Sequence, residues 1–149
     1  MKIIEVTEKS IKNKITWVAS DPADEHDEVA YQLDASKEDD FPQWVLDRLH
    51  DLTDFDKFSA AVDQGNVVKL SRYDIENAGN TGDSWQDTVQ WTSPDKEKRA
   101  PTLFKKGSKV KRPIYLRNSK TDELWLLAGH HRSTYASDVL KQPVEATII

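Results

Sequence analysis

An apolar run, Leu124-Trp125-Leu126-Leu127-Ala128, passes directly into Gly129-His130-His131-Arg132-Ser133-Thr134 and then into helical spacing as far as Leu140. No other stretch restricts the fold as much. The run reads as a strand, and the glycine lets the backbone turn tightly out of it. Tyr135, Val139 and Leu140 recur at helical spacing and are expected to face a sheet, and Gln142-Pro143 ends the helix. Residues 144–149 form a final strand whose apolar character predicts a central, covered position.

The turn itself carries the chemistry. The first N–H groups of a helix have no intrahelical partners and, with the helix dipole, favour an anion. Arg132, Ser133 and Thr134 add side-chain donors for phosphate oxygens at the same place. His130 and His131 add titratable groups, each able to relay a proton, donate to a phosphate or ligate a divalent metal. The bland alternative is a strand-to-helix turn whose histidines cap and whose arginine pairs with an acid.

Strand, Gly-His-His-Arg, helix, proline and apolar strand together resemble the signature segment of the ParB/sulfiredoxin-like superfamily, over residues 112–149. The resemblance implies a turn, Gly129 to Thr134, that holds the phosphates of ATP or CTP with Mg2+, and catalytic roles for His130 and His131. It also implies a nucleotide-binding phosphohydrolase or phosphotransferase, or a small nuclease of the kind found in phages and plasmids. Sulfiredoxins carry a catalytic cysteine where His130 stands, so that activity is not expected in a chain without cysteine. The partition proteins carry Gly-Glu-Arg-Arg in this turn and a DNA-binding region beyond it, so clamping of DNA is not expected either. By its place in the order of elements, Ser71 to Asn77 corresponds to the family's upstream segment. On that correspondence Arg72 faces phosphate, Asp74 and Glu76 position a magnesium ion, and Glu76 has a catalytic role; the alternative is plain surface solvation.

The expected fold is α/β (α+β): a small mixed sheet built on the C-terminal strand-turn-helix-strand unit, with an accessory N-terminal helical segment. One domain spans 1–149, with 1–66 as an N-terminal elaboration and 67–149 as a nucleotide-binding core. Residues 2–6 and 15–18 read as strands, the first leading into a hairpin around Glu8 to Lys14. Asp21 to Glu28, acidic and containing Pro22, reads as a solvated loop. From Phe41 to Val62 the apolar residues keep helical spacing, with Thr53 and Asp56 marking a second cap, so two consecutive helices end at Gly65. A strand follows at Val67 to Leu70, then a turn-rich loop from Asn77 to Asp83 and a short helix capped by Ser84, carrying Trp85, Val89 and Trp91. Residues 113–117 and 123–127 form a hairpin around the turn-forming 118–122. Trp17, Trp44, Trp85, Trp91 and Trp125 each sit in an apolar pattern and are expected in the core, and His26 and His50 on the surface.

Charge sets the remaining expectations. The net charge of -5 divides into 15 acids against 7 bases in residues 1–60, about -8, and 11 acids against 14 bases in residues 61–149, about +3. Residues 95–112 hold eight Lys or Arg against two acids, so Lys96 to Arg112 is either a solvated basic loop or a strip that contacts DNA. The acids between Asp21 and Asp56 raise a second function class: a non-catalytic interaction or inhibitor protein that keeps the fold, mimics nucleic acid and binds a host protein. No apolar run approaches the roughly 20 residues that span a bilayer, and no signal-peptide core is present, so a cytoplasmic protein without a membrane partner is expected. The absence of cysteine excludes disulfides, thiolate metal sites and cysteine nucleophiles.

Overall fold

The computed structural model of the chain describes residues 15–81, 104 and 108–149. The expected strand 2–6 and its hairpin, the helix after Ser84 with Trp85, Val89 and Trp91, and residues 96–103 and 105–107 of the basic stretch lie outside the described residues.

The element order is β1 (Thr16–Val18), α1 (Pro22–Glu25), α2 (Asp27–Ala35), α3 (Gln43–Asp51), α4 (Phe55–Asp63), β2 (Asn66–Leu70), α5 (Arg72–Asn77), β3 (Lys109–Lys111), β4 (Ile114–Arg117), β5 (Leu124–Ala128), α6 (His130–Thr134), a π-helical turn (Tyr135–Val139) and β6 (Val144–Ile148). This is an α/β fold with a mixed sheet. Four strands stand in the order β2-β6-β4-β5, with β6 antiparallel to β2 and parallel to β4, and β4 antiparallel to β5. The apolar β6 therefore occupies an inner position, as its composition requires. A parallel pair of β1 and β3 stands apart from this sheet.

Alternation along the strands divides the core in two. Ile114, Leu116, Trp125 and Leu127 meet Val29, Val45, Leu49, Leu52, Phe58 and Val62 from the helices of the N-terminal half. Tyr115, Leu126, Val144, Ala146 and Ile148 meet Ile75 and Ala136 on the opposite face. The segment read as an elaboration thus supplies the apolar cover for one face of β4 and β5.

Asp21 to Glu28 is helical rather than a solvated loop. Asp21 caps α1 by accepting from the Ala23 N–H at 3.1 Å, Pro22 takes the first helical position, and Asp24 and Glu25 lie in the first turn. That is a helix-start signature, in which proline pre-sets φ and costs no hydrogen bond. His26, expected on the surface, is half-buried: its Nε2 lies 3.0 Å from the Leu52 carbonyl, and its ring packs on Phe55 and Phe58. His50 is exposed. The cap of α4 is Asp54, which accepts from Lys57 N–H at 3.1 Å, one residue beyond the expected Thr53.

The helix after Gly129 also departs from its expected face. Ser133, Thr134, Ala136 and Ser137 are buried, while Val139 is 42% exposed. Two causes combine: small residues let the helix approach the sheet closely, and the wider turn, closed by Leu140 N–H to the Tyr135 carbonyl at 3.0 Å, moves later side chains out of 3.6-residue register.

At the outer edge of β5, Gly79 donates its N–H to the Leu124 carbonyl at 2.8 Å and accepts from the Leu126 N–H at 3.0 Å. Beside it the buried Gln32 donates to the Leu127 carbonyl at 2.7 Å and accepts from the Trp125 indole N–H at 2.9 Å. A Cβ on residue 79 would overlap Cε3 of the Trp125 indole and lie 2.9 Å from Cζ3. Gly79→Ala is expected to cost about 1–3 kcal/mol by overpacking, read as a lower urea midpoint with a shifted tryptophan emission. An unchanged midpoint would mean that the indole gives way freely.

Candidate functional site

The Gly129 turn is built by crowding as much as by flexibility. Gly129 sits at φ 94°. A Cβ on it would stand 2.6 Å from Pro113 Cβ and 2.9 Å from the Arg132 Nη2. The chain leaves buried β5, reverses against Pro113, and enters α6 with His130 first.

Arg132 lies folded over this turn. Its Nη1 donates to the Lys111 carbonyl at 2.9 Å, and its Nη2 donates to Glu25 Oε1. The two side chains are 13% and 12% exposed. The arginine expected to hold phosphate thus arrives with a carboxylate of its own. Ser133 is 0% exposed and lies beside the buried Tyr115 hydroxyl, whose ionisation burial pushes up despite that neighbour. Thr134 is buried and donates its hydroxyl to the His130 carbonyl at 2.8 Å. Both expected hydroxyl donors are therefore turned into the molecule.

His130 meets a residue from another loop. Asn80, at φ 65°, places its Nδ2 2.9 Å from the Leu126 carbonyl and 3.1 Å from His130 Nε2. Burial lowers the His130 pKa to about 4, with the neighbouring charges of His131 and Arg132 adding to the fall and a contact to the Asn80 backbone opposing it. His131 follows, half-buried, on the same helix.

Arg72, Asp74 and Glu76 gather elsewhere. Asp74 accepts from the Ser71 N–H at 2.9 Å while the Ser71 hydroxyl accepts from the Asp74 N–H at 3.1 Å, a reciprocal cap of α5. Arg72 bonds Glu76 at 2.8 Å and Asp138 at 2.9 Å, and these carboxylates, Glu76 foremost, raise its pKa. The structure joins Arg72 to the end of the helical segment, at Asp138, and not to the Gly129 turn. Among the described residues no three His, Asp or Glu side chains form a metal-binding group. Asp74 and Glu76 are committed to a cap and an ion pair, so they do not fit a magnesium site as they stand.

The basic stretch is partly spent on the chain's own acids. Lys111 bonds Asp24, and Asp21 at 3.2 Å. Asp24 and then Asp21 raise the lysine's pKa, and Lys111 in turn holds the Asp21 carboxyl below the usual carboxylate range. Arg112 bonds Glu145 at 3.0 Å, and Lys109 is exposed. Part of the charge difference between the two halves of the sequence is internal complementarity.

Sequence reasoning missed Glu25 and Asn80. Glu25 had a usable signal in the helix start at Asp21-Pro22, which implies an ordered side-chain position. Asn80 follows Gly79 in a turn dipeptide, and asparagine is among the few residues that tolerate a positive φ. Neither signal names its partner, because Glu25 and Arg132 lie 107 positions apart and Asn80 and His130 lie 50 apart. Among the described residues no helix is long and apolar enough to cross a membrane. Comparison with protein-family models, with curated proteins and with solved structures gives no match.

Proposed function

We propose that the chain binds a phosphate-bearing nucleotide, ATP or CTP, at the Gly129 to Arg132 turn, as a phosphohydrolase, phosphotransferase or nuclease of ParB/sulfiredoxin-like type. The observation that carries this reading is the left-handed Gly129 turn, which delivers His130, His131 and the Arg132 guanidinium to one helix start at the end of a buried strand. Backbone N–H groups there favour an anion, and an arginine fork recognises phosphate oxygens. Any magnesium would enter on the nucleotide's own phosphates, since Asp74 and Glu76 are engaged elsewhere.

Binding without turnover, in an interaction or inhibitor protein, is the second reading. The pairing of Arg132 with Glu25 favours it, because a neutralised arginine stabilises developing charge less than a free one. DNA contact through the basic stretch remains a proposal for Lys96 to Lys109; Lys111 and Arg112 already face carboxylates.

Glu25 competes with the ligand in both readings. Glu25→Gln keeps an acceptor for Arg132 but removes the charge, so calorimetry with ATP and CTP, with and without magnesium, should show about tenfold tighter binding than wild type. Phosphate release would then separate the enzyme from the binder. No heat with either nucleotide, for wild type and variant alike, would sink the phosphate reading.

A further inference from the structure

Asn80 stands in a left-handed backbone position at φ 65°, held in place by the pairing of Gly79 with β5. Its side-chain orientation is decided by Leu126: the carbonyl 2.9 Å away accepts from Nδ2, and a flipped amide would set oxygen against oxygen. The amide's second N–H is then directed at His130 Nε2, 3.1 Å away. A ring nitrogen facing a donor must offer its lone pair, so the ring proton belongs on Nδ1. An imidazolium would bring two N–H groups face to face.

We propose that Asn80 is the positioning residue of this site, holding His130 as a neutral imidazole in the Nδ1–H tautomer. Nε2 is thereby withdrawn from use as a metal ligand or general base, and the ring's contribution to a bound phosphate is a neutral donor through Nδ1. That last step rests on the phosphate reading; the tautomer does not. Among the described residues, the charged and titratable groups around His130 are His131 and Arg132 on its own helix, with Glu25 of α1 paired to Arg132. Among the described residues the Asn80 side brings the neutral side-chain amide, the Leu126 carbonyl and a contact to the Asn80 backbone that favours the protonated ring. Burial and the charges of His131 and Arg132 act in the same direction as the amide, since each disfavours the protonated ring, while the contact to the Asn80 backbone opposes them.

Two-bond 1H–15N correlation spectra of the full chain, with histidines assigned by His130→Gln and His131→Gln, read the tautomer directly. Wild type should show His130 protonated on Nδ1 at neutral pH and titrating well below the unperturbed value of about 6.5. Asn80→Ala should shift the population toward Nε2–H and raise the midpoint. Asn80→Asp should raise it further, by more than one unit, because a carboxylate accepts where the amide donates. An Nε2–H tautomer or an imidazolium in wild type near pH 7 would overturn the assignment, even if neither variant folded; so would variants that fold but leave the tautomer unchanged. Calorimetry with ATP between pH 5.5 and 7.5 keeps the two readings apart. If wild type binds no ATP while the Nδ1–H tautomer stands, the phosphate reading fails alone. If ATP binds and tightens steeply as pH falls, with loss of that slope in His130→Gln, the neutral-donor role fails.

Discussion

Gly129→Ala is expected to lower stability by about 2–5 kcal/mol, a large share of what holds a domain of this size together. Two independent penalties add. The backbone sits at φ 94°, where a residue with a Cβ is strained. The new methyl would also press on Pro113 at 2.6 Å and on the Arg132 guanidinium at 2.9 Å. Proline cannot yield by rotating a side chain, and Arg132 is fixed at both of its bonds. Gly129→Asn separates the penalties, because asparagine tolerates a positive φ but carries the same Cβ. Urea unfolding should therefore show Asn recovering only a minor part of the loss. If Asn restores the wild-type midpoint, the crowding against Pro113 is unimportant and the dihedral alone requires glycine.

The parts of the fold that were legible are those written in local signals. The hairpin of β4 and β5 was marked by turn-forming residues at 118–122, and the Lys120 N–H does bond the Asn118 side chain at 2.9 Å. The helices α3 and α4 announced themselves through apolar spacing, and their Val45, Leu49, Phe58 and Val62 are buried. The inner position of β6 followed from its unbroken apolar character.

What escaped was set by contacts with no local trace. The helix at Pro22 was hidden because proline and acids signal both a loop and a helix start, and its long-range partners Lys111 and Arg132 are far away in sequence. Ser133 and Thr134 look like phosphate donors in the sequence; only the packing of α6 against Tyr115 turns Ser133 inward. The widened turn at Tyr135 to Val139 carries no sequence signature, and it was this turn that sent Val139 outward.

Arg132→Ala is expected to cost about 3–5 kcal/mol, because it leaves the Glu25 carboxylate, 12% exposed, without its cation. The Lys111 carbonyl loses a donor in the same step. Glu25→Gln should cost less, since the amide oxygen still accepts from the guanidinium and only the charge attraction is lost. The two residues form one unit, so the double variant should be no worse than Arg132→Ala: once the arginine is gone, a neutral glutamine is the better occupant of that place. Urea midpoints for the two single variants and the double variant close the cycle. Costs that simply add, or an Arg132→Ala midpoint indistinguishable from wild type, would mean that the pair is solvated and exchanges freely. The arginine would then be available to a phosphate at no structural cost, and Glu25→Gln should leave nucleotide affinity where it was.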